Sequence, residues 1–136
     1  MDDKLNWIFL SILSSPSKLG LYERLDLPAE EIIHSLNKDE LKVQEHICSV
    51  YGNDPFVAAE KIYRSCMEKN FNIISIADLD YPPLLKEIHR PPLVLYVDGC
   101  LNNLPMVSIV GTRDSDRISE DVAFKISSTL AKAGYA

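Results

Sequence analysis

Gly111-Thr112-Arg113 is the stretch of this 136-residue sequence whose residue types suit phosphate chemistry. It follows the apolar run Met106-Val107-Ser108-Ile109-Val110 and precedes a helix-patterned tail from about Ser119 to Ala133. A glycine lets a ligand approach the backbone, and a helix N-terminus offers unpaired N–H groups with partial positive charge. An arginine adds a planar cationic fork for phosphate oxygens. Strand, turn and helix in that order is the arrangement of phosphate-binding turns. A dinucleotide fingerprint has three glycines where this turn has one, so the pattern is also that of an ordinary β-α turn with a solvated arginine.

The other chemically capable residues do not assemble into a site. His34, His46 and His89 share no metal-ligand spacing. Cys48, Cys66 and Cys100 are odd in number and lack C-x-x-C spacing, which points to reduced thiols in a cytoplasmic protein. Asp78 and Asp80, beside Tyr81-Pro82-Pro83, read as caps and turn formers. Tyr81, hemmed by prolines, and Trp7, within an apolar stripe, read as packing residues. No nucleophile-base set has supporting local sequence, so no catalytic residue, metal or cofactor is assigned.

Charge limits the possible partners. The net charge is −6, with eight cations against twelve acids in residues 1–70 and six against eight in residues 71–136. Bulk attraction to duplex DNA is thereby excluded, and any nucleic-acid site must be local. No apolar run approaches the roughly 20 residues of a membrane span. The Trp7–Leu13 segment lacks the basic flank and small-residue cleavage site of a signal peptide. No membrane partner is expected.

The elements that would position the turn follow from periodicity. In the first seventy residues, Leu5, Ile8, Phe9, Ile12 and Leu13 recur at helical spacing, and Ser14-Ser15-Pro16 stops that helix. Leu19, Tyr22 and Leu25 mark a second short helix; Pro28, Glu30 and Glu31 open a third, with Ile32, Ile33 and Leu36 inward. Asn37 and Glu40 form an imperfect capping box ahead of a stripe of Leu41, Gln44, Ile47, Cys48 and Tyr51. Gly52-Asn53 stops that helix, and Asp54-Pro55 caps a longer one carrying Phe56, Ala59, Ile62, Tyr63, Cys66 and Met67. A small all-helical domain over residues 1–70 is expected.

At Phe71 the period changes. Phe71–Ile76, Leu93–Val97 and Met106–Val110 read as strands. The paired prolines Pro82-Pro83 and Pro91-Pro92 bracket one or two helical turns, and Asp98-Gly99 with Asn102-Asn103 marks a turn. A boundary near residues 69–72 is expected, with an α+β architecture overall. Met106–Val110, apolar on both faces, is expected to be a buried parallel strand.

Three segments in order then resemble the DNA-processing protein A family (DprA/Smf). They are Asp80-Tyr81-Pro82-Pro83-Leu84-Leu85-Lys86-Glu87-Ile88, Pro91-Pro92-Leu93-Val94-Leu95-Tyr96-Val97-Asp98-Gly99 and Val107-Ser108-Ile109-Val110-Gly111-Thr112-Arg113. The tail Leu130–Ala136 is similar to that family's helix end. The resemblance implies a helical N-terminal domain of the SAM/helix-hairpin-helix kind over residues 1–70, joined to an extended Rossmann-like domain that begins in residues 71–136. It implies a non-catalytic protein that binds single-stranded DNA and helps load the RecA recombinase during natural transformation, in competent cells. Gly111, Thr112 and Arg113 match the family's DNA-binding turn, and Arg117 follows as a further phosphate-binding candidate.

The chain differs from the family in two places. Asp114-Ser115-Asp116 stands where the family continues towards Ser-x-Tyr-Gly, and Ser17-Lys18-Leu19-Gly20 replaces a Gly-x-Gly hairpin. Carboxylates beside a phosphate site repel DNA. The chain is expected to be the N-terminal part of such a protein, ending before the next parallel strand. The open sheet edge would then favour homo-oligomers. Two other readings compete: a nucleotide-binding enzyme of the phosphoribohydrolase type, which opens with a similar turn, and a helical protein-interaction module in the acidic first seventy residues.

Overall fold

A computed structural model describes residues 3–16, 19–101 and 104–136. Ser17 and Lys18, of the stretch that stands in place of a Gly-x-Gly hairpin, and the Asn102-Asn103 turn lie outside the described residues. The elements are α1 (Asp3–Ile12), a 3-10 turn (Tyr22–Arg24), α2 (Ala29–Ser35), α3 (Glu45–Tyr51), α4 (Pro55–Glu68), β1 (Asn72–Ser75), α5 (Pro83–Lys86), β2 (Val94–Val97) and α6 (Arg117–Lys132). The class is α+β, mostly helical with one two-stranded sheet. The chain divides into two compact units, Met1–Cys100 and Leu101–Ala136.

In the first unit, α1 is the centre of the core. Trp7, Ile8, Phe9, Leu10 and Ile12 are all buried, as a helix apolar nearly all round must be. It packs on α2, on α4 and on both strands. The Phe9 and Phe56 rings meet at 4.4 Å between centroids, tilted by 40°. Gln44 caps the end of α1: its backbone N–H donates to Ile12 O (2.9 Å), and its Nε2 donates to Ser11 O (2.9 Å) and, one residue past the helix, to Leu13 O (3.2 Å).

The helix signals hold with three local differences. Leu19, Tyr22 and Leu25 yield only the 3-10 turn Tyr22–Arg24. Pro28 stands just ahead of α2 rather than inside it. The Asn37 and Glu40 capping box forms, with Asn37 N–H donating to Glu40 Oε2 (2.8 Å), but it closes a turn and α3 begins only at Glu45. Asp54 caps α4 as its sequence indicates, accepting from Phe56 N–H (2.9 Å) and Val57 N–H (3.2 Å), with Pro55 in the first turn.

The expected break at residues 69–72 falls inside the first unit. Asn70 adopts a left-handed φ of 56°, Phe71 N–H donates to Cys66 O (2.9 Å) and Asn70 N–H to Met67 O (3.2 Å). This is a Schellman ending that turns the chain straight from α4 into β1. β1 pairs antiparallel with β2 in the register Ile73↔Tyr96 and Ser75↔Val94. Ile73 and Ser75 are buried, and β1 packs on α1 and α4, so the sheet completes the helical core. Tyr81 is buried with its hydroxyl donating to Pro92 O (2.8 Å), which makes it a packing residue.

In the second unit, Met106–Val110 is not a buried strand. Val110 is 90% exposed, and Met106 66%. The N–H of Val107 donates to Ala136 O and that of Ala136 to Pro105 O, both 2.9 Å. These two bonds are the repeat of a parallel pair, but one repeat makes no ladder, and the segment stays extended without regular strand structure. The turn from α6 to Ala136 is set by Gly134, whose φ of 85° allows Tyr135 N–H to reach Leu130 O (3.0 Å).

Candidate nucleic-acid interface

Gly111, Thr112, Arg113 and Arg117 all lie in the second unit and all are exposed. Around Gly111 an added Cβ would meet nothing within 4 Å. Its φ is not left-handed, so the fold does not require a glycine there. What the glycine leaves is bare backbone open to an incoming group. Thr112 Oγ1 accepts from Asp114 N–H (3.3 Å), which bends the chain after the turn.

Helix α6 follows, capped by Asp116, whose Oδ1 accepts from Ser119 N–H at 2.7 Å. The Ser119 backbone and hydroxyl bonds hold the Asp116 carboxyl below its usual value. Ser115 Oγ donates to Glu120 Oε1 (3.1 Å). The positive end of α6 is therefore already served by the chain's own carboxylates. The sequence pattern marked that end as an anion site, and the structure fills part of it internally.

The cationic part of the turn is better placed. Among the described residues no ion pair engages Arg113 or Arg117, although Asp114, Asp116, Glu120 and Asp121 lie within a few positions. Two arginines against four carboxylates make the local field weakly negative. Such a surface cannot gather polyanions by bulk charge, but it can hold one phosphate oxygen through a guanidinium fork beside open backbone.

The other sequence candidates separate. Asp78 forms a turn, its Oδ2 accepting from Ser75 N–H (2.5 Å) and from Lys4 Nζ. Among the described residues no three His, Cys, Asp or Glu side chains group as metal ligands would, and no helix is long and apolar enough to cross a membrane. The three cysteines are free thiols; burial pushes that of Cys66 up, against a smaller pull from Lys69. One concave region in the first unit went unmarked: a cavity of about 500 Å³ lined by Tyr51, Phe71 and Tyr96 with His46 and Lys69. Its residues come from separate elements, so no local spacing could reveal it.

Residues 59–136 match the family model described as DNA recombination-mediator protein A. The chain is 40% identical over 74 residues to "Protein Smf" of Synechocystis sp., covering 50% of this chain and 19% of that protein. It is 28% identical over 132 residues to "DNA processing protein DprA" of Bacillus subtilis, covering 90% of this chain and 43% of that protein. The chain thus spans less than half the length of either relative. No solved structure matches it significantly.

Proposed function

The chain belongs to the DNA recombination-mediator protein A family, and on that premise we propose that it binds single-stranded DNA through the Gly111-Thr112-Arg113 turn, with Arg117 beside it. The observation that carries the reading is an exposed arginine, without an ion pair among the described residues, two positions from bare glycine backbone and inside the region that matches the family. A single strand suits this turn better than a duplex does. Its phosphates can be held one at a time by a guanidinium and backbone N–H groups, without the basic surface this chain lacks.

The role is one of binding, not catalysis: the protein processes DNA in the cytoplasm by helping a RecA-type recombinase onto the strand during natural transformation. The Met106 segment, α6 and Ala136 are read as the opening of a Rossmann-like β-α-β unit, a reading supported by the two parallel-type hydrogen bonds at Val107 and Ala136. The helical residues ahead of it are read as the SAM/helix-hairpin-helix-like domain.

Fluorescence anisotropy of a labelled oligothymidylate, at fixed low salt, tests the site. Arg113→Ala is expected to weaken binding by about 1–3 kcal/mol with the fold intact. An unchanged titration would remove the turn from the interface.

A further inference from the structure

The cavity in the first unit, about 500 Å³, falls in the ~300–1,000 Å³ range of small-molecule sites. It opens where α3, the second half of α4 and β2 converge. Three rings face it from three places in the chain: Tyr51, Phe71 and Tyr96. Of its lining residues none is Asp or Glu, whereas Lys69 and His46 are present, in a chain whose net charge is −6. Lys69 is exposed and makes no ion pair among the described residues. Tyr96 is 43% exposed as a residue, yet burial of its phenol pushes it up to about 12 against the opposing hydrogen bond of Ser11; like any phenol it is a neutral hydrogen-bonding group at neutral pH. Apolar walls, stacking faces and one available ammonium suit a planar ring that carries an anion.

We propose that this cavity binds a nucleotide unit, its base against the aromatic walls and its phosphate on Lys69. Choosing a nucleotide among aromatic anions rests on the single-strand reading above. The unit could come from a free nucleotide or from a strand, and the chemistry of the pocket is the same for both.

The test is an NMR titration of the 136-residue chain with thymidine 5′-monophosphate, thymidine and a short oligothymidylate, following the Lys69, Phe71 and Tyr96 amides. Saturable shifts are expected with the monophosphate, with thymidine weaker by about tenfold, the loss of one charge-assisted phosphate contact. Lys69→Gln should abolish that difference, and Ser65→Trp, which fills the cavity, should abolish the shifts while the Trp7 and Ile8 amides, away from the cavity, stay in place. The same shifts with the oligomer identify a strand as the source; shifts with the monophosphate alone identify a free nucleotide. Silence at these amides with every ligand overturns the proposal, as does equal binding of thymidine and its monophosphate, which would make the cavity a purely apolar site. Arg113→Ala, titrated in parallel with the oligomer, separates the two readings. Weaker binding with a silent cavity sinks the pocket and keeps the turn, whereas an occupied cavity with an unaffected Arg113→Ala variant keeps the pocket and sinks the turn.

Discussion

Lys4 near the start of α1 and Asp78 in the turn after β1 form an ion pair across 74 positions of sequence, and the same carboxylate oxygen accepts the N–H of Ser75. The pair ties the first helix to the sheet that closes its core. Burial acts to raise the Asp78 carboxyl; the bonds from Lys4 and from Ser75 N–H outweigh it, so the carboxyl sits below its usual value. A depressed folded-state value means that this stability is present above the unfolded value near 4 and is lost as pH falls through the folded one. Asp78→Asn should cost about 1 kcal/mol at neutral pH, the partly exposed pair being screened by solvent. Urea midpoints of wild type and variant should converge below about pH 4. A difference that persists unchanged in acid would show that the carboxylate charge is not what stabilises the turn.

Two glycines with opposite geometry give a sharper comparison. Gly134 holds a left-handed φ at the end of α6, whereas Gly111 does not, and a Cβ at Gly111 meets only open space. Gly134→Ala should therefore loosen the end of α6 by about 1 kcal/mol, and Gly111→Ala should leave stability unchanged within about 0.5 kcal/mol. If the backbone at Gly111 lies against the strand, Gly111→Ala should nonetheless weaken oligonucleotide binding. Thermal unfolding and anisotropy on the same two variants read both effects. A stability loss at Gly111 would mean that the turn is packed rather than open.

The cap of α4 is a third check. Asp54 satisfies two N–H groups, and Asp54→Ala should destabilise the first unit by about 1 kcal/mol, within the usual range of 0.5–2 for such caps. Asp54→Ser should recover most of that loss. Equal midpoints for wild type and Asp54→Ala, by circular dichroism, would show that the helix start is fixed by the Phe9 and Phe56 contact instead.

Local signals in the sequence were legible where they act over a few residues. Asp54-Pro55 starts a helix, the paired prolines enclose the single turn of α5, and the Phe71–Ile76 and Leu93–Val97 runs become β1 and β2. What could not be read is long-range. Nothing near Gln44 announces that it caps the end of α1, and nothing near Phe71 announces that the sheet packs on the helices rather than starting a separate unit. The Met106–Val110 run has strand composition, but composition supplies no partner, and the pairing depends on where Ala136 lies. For the candidate turn, residue types and order were visible, whereas the capping of the α6 start by Asp116 followed only from side-chain geometry.

Salt dependence distinguishes a sparse phosphate contact from a basic footprint. With Arg113 and Arg117 as the cations at the turn, the slope of log affinity against log salt should be shallow. About 0.7 is expected per neutralised phosphate of a single strand, and Arg113→Ala should reduce the slope by about that amount. Anisotropy titrations over a series of salt concentrations measure it. A steep slope that survives Arg113→Ala would place the DNA on another surface.

The second unit leaves an apolar surface that water does not favour. Phe124 is 74% exposed and Ile118 75%, and Met106 and Val110 are exposed in the same unit. Beyond the bonds at Val107 and Ala136, the backbone groups of Met106–Val110 are unpaired among the described residues, the form in which strands recruit other strands. We expect the chain to self-associate through this run, its apparent mass rising with concentration in light scattering. Val110→Lys should lower that association without changing the stability of the first unit, because a charge on an exposed strand opposes edge pairing. Hydrogen exchange should show the Ile8 and Leu10 amides strongly protected and those of Ile109 and Val110 close to free exchange at low concentration, gaining protection as the protein associates. A monomer at every concentration, with Ile109 and Val110 protected throughout, would mean that the second unit closes its own sheet and presents no edge to a second copy.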